Sequence, residues 1–174
     1  MKPQIIILLL CSAICFSQQK LSLSVYQDTK LLITGDNKGN DPLTPDLIFN
    51  MDWEGKQQTW YYFSIKTQYE FANLVGGKFY RYTVNGICNF NKLIVPKMEF
   101  GIGLGFGALH RPNTDGLGTY SLTTELNYPL TKNIKASVKY EIVRRSDLVE
   151  LYHEPQPFKP NLAIGFRITI IDNN

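Results

Sequence analysis

From Leu21 to Ile170 apolar and polar residues alternate in eight separate runs. A period of two belongs to a β-strand whose two faces meet different surroundings. Leu21, Leu23 and Val25 alternate with Ser22 and Ser24, and Phe49, Met51 and Trp53 alternate with Asn50, Asp52 and Glu54. In the third run Tyr61, Phe63, Ile65, Tyr69 and Phe71 share one face, with Ser64, Lys66, Gln68 and Glu70 on the other. Tyr80, Tyr82, Val84, Cys88 and Phe90 then oppose Arg81, Thr83, Asn85 and Asn89. A fifth run spans 99–108. In the sixth, Tyr120, Leu122, Thr124, Leu126 and Tyr128 oppose Ser121, Thr123, Glu125 and Asn127. Ile134, Ala136, Val138, Tyr140 and Ile142 oppose Lys135, Ser137, Lys139 and Glu141. Last, Leu162, Ile164, Phe166, Ile168 and Ile170 oppose Ala163, Gly165, Arg167 and Thr169. The pattern predicts an all-β chain of eight strands and no amphipathic helix after residue 20.

The connections carry a second regularity. "EGKQQ", "NFNK" and "PLTKN", after the second, fourth and sixth runs, are short. "DTKLLITGDNKGNDPLTP", "HRPNTDGLG" and "RRSDLVELYHEPQPFKP" are long, and "ANLVGGK" after the third run is intermediate. Short turns at one end and longer loops at the other are expected of an antiparallel up-and-down transmembrane barrel. No repeat longer than a hairpin and no linker divides the 174 residues, so one domain is expected.

The fifth run, "EFGIGLGFGALH", places Gly101, Gly103, Gly105 and Gly107 on one face and Phe100, Ile102, Leu104 and Phe106 on the other. Gly103, Gly105 and Ala108 fit the spacing of a dinucleotide-binding loop. That motif must follow a strand and open a helix. Here it lies within a strand and runs into the turn-forming His110-Arg111-Pro112-Asn113, so no cofactor is expected. An eight-stranded barrel has an interior only wide enough for side chains. Glycines facing inward leave room for Lys, Arg and Glu sent inward by neighbouring strands, and they help a strand bend.

The first residues, "MKPQIIILLLCSAICFSQQ", pair a positive Lys2 with a short apolar core and small residues at Cys15 and Ser17. They read as a signal peptide over 1–17, cleaved after Ser17, with the barrel domain at 18–174. Leu10 and Ile14 precede Cys11 and Cys15, which disfavours lipidation. Cleavage leaves Cys88 alone, with no disulfide partner and no metal pair. The net charge of +3, from 18 Lys+Arg and 15 Asp+Glu, is too mild and scattered for nucleic acid.

Alternation is shared by soluble lipocalin-like barrels, which point apolar residues inward, and membrane barrels, which point them outward. Three features favour the membrane. The polar faces carry both signs (Lys66, Glu70, Arg81, Glu99, Glu125, Lys139, Glu141, Arg167), which suits an internal ion-pair network. Tyrosines and phenylalanines gather near strand ends, as in aromatic girdles. An interior holding every large apolar side chain would be overfilled. Over about residues 20 to 171 the chain resembles the small eight-stranded outer-membrane proteins of OmpX-like and OmpA-barrel type. The likeness lies in strand number, loop alternation and the closing strand "LAIGFRITI". One departure is the ending "IIDNN", where such barrels carry an aromatic residue. The resemblance implies a monomer in the outer membrane with a blocked interior. Its neighbours would be membrane lipid and lipopolysaccharide, and its external loops would meet an extracellular partner.

Candidate sites are few. Interior packing falls to Gly101, Gly103, Gly105, Gly107, Arg81, Glu99, Glu125, Lys139 and Arg167. The resemblance to lipid A deacylases, which are barrels with a Ser-His-acid triad, rests on His110, Ser121 and Glu125. Alternation sends His110 outward and the other two inward, which opposes a triad. His153 with Glu150 and Glu154 lacks a fourth ligand and regular spacing for a metal. Asp36, Asn37, Asn40 and Asp41 lack the spacing of a calcium loop and read as turn chemistry. Arg144 and Arg145 are placed either against lipopolysaccharide head groups or at a strand end. The expected function is a non-enzymatic surface protein whose loops, at about 27–44, 109–118 and 146–160, bind a partner or serve envelope integrity. A lipid A-modifying hydrolase and a soluble lipocalin-like ligand carrier are the alternatives.

Overall fold

A computed structural model describes residues 20–91, 97–112, 114 and 116–173; the expected signal peptide lies outside the described residues. The strands are β1 (Lys20–Asp28), β2 (Asp46–Glu54), β3 (Tyr61–Leu74), β4 (Gly77–Asn91), β5 (Glu99–His110), β6 (Leu117–Pro129), β7 (Ile134–Arg144) and β8 (Phe158–Asp172). Each pairs antiparallel with the next, and β1 pairs with β8 to close the barrel. At the seam Ser24 faces Arg167 and Asp28 faces Ala163. The register slips between Leu21 and Ser22, which leaves Ile170 as a bulge. Pro160 lies beyond the last β1–β8 pair, where β8 has one neighbour and proline is tolerated.

Burial follows the alternation. Asp52, Lys66, Glu70, Arg81, Glu125, Lys139, Glu141 and Arg167 are all buried inside the ring. Leu23, Val25, Met51, Val84, Leu104, Leu122, Ile164 and Phe166 are exposed on the outer wall. This inverts a soluble barrel and sets aside the lipocalin-like alternative. Aromatic rings cluster toward both ends of the outer wall. Tyr69 contacts Phe49, Tyr80 and Tyr82 toward one end, and Trp60 contacts Tyr61 and Phe90 toward the other. Rings in two bands flanking an apolar wall are what a bilayer interface selects. No helix among the described residues is long and apolar enough to cross a membrane.

Three expectations need correction. Two short helices interrupt the long loops: α1 (Thr29–Ile33) and α2 (Ser146–Tyr152). Asp28 caps α1 by accepting the Leu31 N–H at 2.7 Å, and the Leu31 side chain is buried. Helices of five and seven residues are too short to leave a period in the sequence. "ANLVGGK" is not an intermediate loop. β3 and β4 run on until Leu74 pairs with Gly77, and Val75 and Gly76 alone make the turn. Gly76 and Gly77 have φ of 90° and 112°, which a side chain at either position would strain. The long loops are shorter than expected, because β1 reaches Asp28 and β8 begins at Phe158. The "NFNK" turn falls largely on residues outside those described.

β5 shows why its glycines are needed. A Cβ on Gly103 would stand 2.2 Å from the Gly86 carbonyl oxygen, and one on Gly107 would stand 1.8 Å from that of Tyr82. At Gly105 it would meet Asn85 Oδ1 at 2.0 Å and Ser121 Oγ at 2.7 Å; at Gly101 it would meet Asn89 Oδ1 at 2.9 Å. The space is thus taken by β4 backbone and by short neutral side chains, with Ile87 beside Gly101 and Gly103. Gly103→Ala is expected to destabilise the barrel by about 1–3 kcal/mol through overpacking. Gly118→Ala, with no neighbour within 4 Å, is expected to be nearly neutral. Leu104→Arg is expected to cost about 2–4 kcal/mol by placing a charge on the lipid face. Urea unfolding in lipid vesicles measures all three.

Candidate functional site

The barrel interior is a column of paired charges. At the end where β1 begins and β8 ends, Lys135 lies 2.6 Å from Glu99, which also accepts the Tyr62 hydroxyl at 3.2 Å. Above them Arg167 meets Glu54 at 2.7 Å, and Ser22 donates to the same carboxylate. Lys66 bridges Asp52, at 3.2 Å, and Glu125. Arg81 joins Glu70 at 2.6 Å to Glu141 at 2.8 Å, and Lys139 meets Glu141 at 3.0 Å and donates to Gln68. Buried charges persist when each finds a counter-charge and hydrogen bonds. Tyr26 and Tyr62 also point inward, where the Tyr26 hydroxyl meets Ser137 Oγ at 3.0 Å. Reading aromatics as wall residues missed both, although each falls on the inward position of its own alternating run.

The other end is built by the loops. Asp147 of α2 takes two hydrogen bonds of 2.9 Å from Arg145 and one of 3.3 Å from Arg111. Arg111 also donates to the Val75 carbonyl, which accepts the Tyr152 hydroxyl at 3.1 Å. Asn40 Oδ1 accepts the Val75 N–H at 2.6 Å, and Glu154 pairs with both Lys38 and Lys159. All four connections at this end are thereby tied together. Burial pushes the Asp147 carboxyl up, but the hydrogen bonds from Arg145 and the charges of Arg145 and Arg111 outweigh it and hold it below its ordinary value. Hydrogen bonds from Lys159 and Lys38 do the same to Glu154.

The expected site residues fall as follows. His110 is exposed at the loop end of β5, opposite Tyr80. Ser121 and Glu125 are buried inside. Ser121 pairs with Gly105, five residues down β5 from His110 and so about 16 Å away along the strand. Glu125 is bound to Lys66. The structure does not bring these three together. His153 caps α2 in the left-handed conformation, Glu154 is held by its two lysines, and no three metal-ligating groups converge among the described residues. Asp36 accepts the Lys38 and Asn40 N–H groups at 2.9 and 3.1 Å, which is turn chemistry. Arg145 is turned inward over the Phe79 ring and bound to Asp147, so it offers nothing to a head group. Arg144 stacks over Tyr120.

No protein-family model and no curated protein matches the sequence. Among solved structures the chain is similar to the Yersinia pestis outer-membrane protein Ail in a phospholipid bilayer nanodisc. The identity is 12%, the TM-score 0.56, and the match covers 88% of this chain and 100% of that one. The fold is that of a small outer-membrane barrel. A de novo designed transmembrane β-barrel is also similar, at 11% identity and TM-score 0.51, over 88% of this chain and 97% of the design.

Because the Asp147 carboxyl is held low, its contribution to the loop end is present in full above about pH 4 and is lost as pH falls through the depressed value. Hydrogen exchange in 29–45 and 145–157 is expected to stay slow at pH 5. Asp147→Asn is expected to speed it at neutral pH while leaving the strands protected.

Proposed function

We propose that this outer-membrane-type barrel is a non-enzymatic surface protein whose loop end, facing out of the cell, binds a partner. The observation that carries this reading is the tying of all four loop-end connections into one platform through Asp147, Arg111, Val75, Asn40 and Glu154. A loop left free would need no such bracing, whereas binding loops gain from being held in place by a scaffold. The platform displays Leu43 at 75% exposure and Ile33 at 69%, with Val75 between the long loops. Exposed apolar side chains on a fixed surface are suited to contact another molecule. The likeness to Ail, an outer-membrane protein, supports the location. The filled interior supports anchoring over transport.

The hydrolase reading has little to stand on, since His110 lies apart from Ser121 and Glu125. Cell fractionation is expected to recover the protein with the outer membrane, and planar bilayers to show no large steady conductance. Lipid A mass spectra are expected to be the same for wild type and His110→Ala; an acyl chain lost in wild type and retained in the variant would instead establish a hydrolase. A Leu43→Ser, Ile33→Ser double variant that still folds, as checked by comparing gel mobility with and without heating, is expected to change at least one of adhesion, phage sensitivity or serum resistance. No change in any of the three would overturn the binding reading.

A further inference from the structure

A cleft of about 310 Å³ opens at the loop end, under α1 and the 36–40 turn. Asp28, Asp46 and Glu70 line it. Glu70 is neutralised by Arg81 at 2.6 Å. The two aspartates are not so matched. Asp28 accepts the neutral Leu31 N–H. Asp46 is 4% exposed, and its Oδ1 is buried with no hydrogen-bond partner. The cations nearby are engaged elsewhere: Arg111 and Arg145 on Asp147, Lys38 and Lys159 on Glu154. Lys30 is exposed at the mouth, where its backbone N–H and its charge both act on Asp28 and leave the Asp46 oxygen unpartnered. A buried carboxyl oxygen with no hydrogen-bond partner is costly, so an ammonium group that enters the cleft and donates to it gains what the fold leaves unsatisfied.

The remaining walls describe the ligand. Leu31, Leu74, Val143 and Leu148 give the cleft an apolar side. The volume is at the lower limit for small-molecule sites. No three carboxylate or imidazole groups converge on a point among the described residues, so the donor set does not suit a metal ion. We propose that the cleft binds a small aliphatic primary amine, its ammonium group on the Asp46 and Asp28 carboxylates and its carbon chain against Leu31 and Leu74. The inference does not depend on the loop platform's having a macromolecular partner, because it concerns the isolated protein.

The test is calorimetric titration of the folded protein in detergent micelles with 1,4-diaminobutane, and with 1,4-butanediol as the neutral probe of equal length. Saturable binding of the diamine, with none of the diol, is expected. Asp46→Asn should weaken it at least tenfold. Asp28→Asn, which keeps a side chain able to cap α1, should weaken it as well and serves alone if Asp46→Asn fails the heat-modifiability check for folding. Absence of saturable diamine binding, equal binding of the diol, or affinity unchanged in the folded variants would each overturn the proposal. So would tighter binding of calcium alone, which would make the cleft a metal site.

Discussion

A bilayer core offers the backbone no hydrogen-bond partner, and that single lack governs the structure. Any unpaired strand edge would leave N–H and C=O groups in hydrocarbon at several kcal/mol each, so a sheet can cross only as a closed ring. The β1–β8 pairing supplies the closure. An even number of strands also brings the start of β1 and the end of β8 to one end of the barrel, where Lys20 and Asp172 meet at 3.2 Å. Closure also imposes the period of two, because every residue of every strand must face either lipid or the interior.

The ionic interior makes that choice unambiguous. A one-residue slip in register would exchange the two faces of a strand. Slipping β3 would send Lys66 into lipid and leave Glu125 buried without its counter-charge, and slipping β4 would do the same with Arg81 and Glu70. Buried ion pairs add little net stability compared with well-packed apolar groups, and breaking one is costly. Their value here is in penalising wrong pairings, several strands at a time, since Arg81 alone connects β3, β4 and β7. The same logic explains the position of the glycine strand. β5 sends no charge inward between Glu99 and His110, and it lies close enough against β4 that side chains at Gly103 and Gly107 would strike backbone.

The wall and the interior were legible in the sequence because both are set by alternation, which survives without knowing the fold. Lys66, Glu70, Arg81, Glu125, Lys139, Glu141 and Arg167 all lie inside, on the face their position in each run assigns. What alternation does not carry was not legible. Asp147 and Arg111 are distant in sequence, and their pairing depends on a seven-residue helix with no detectable period. Arg145 looks like one half of a basic pair ending a strand; only the fold turns it inward onto Asp147 while Arg144 stays out over Tyr120. The β3–β4 turn was misjudged because "NLVGG" offers several turn positions, and the choice among them follows from Ala72 and Phe79 both being buried against Leu109.

The two ends of the barrel differ in a way the middle does not require. At the end opposite the long loops Glu99 and Lys135 close the column with a matched pair, and Tyr62 satisfies the carboxylate further. At the loop end the cations are drawn away from the column and into the loops, onto Asp147 and Glu154. That diversion holds the loops in place, and beneath them it leaves Asp46 with a buried carboxyl oxygen that has no hydrogen-bond partner. The braced platform and the unpartnered Asp46 oxygen below it are therefore two results of one distribution of charge.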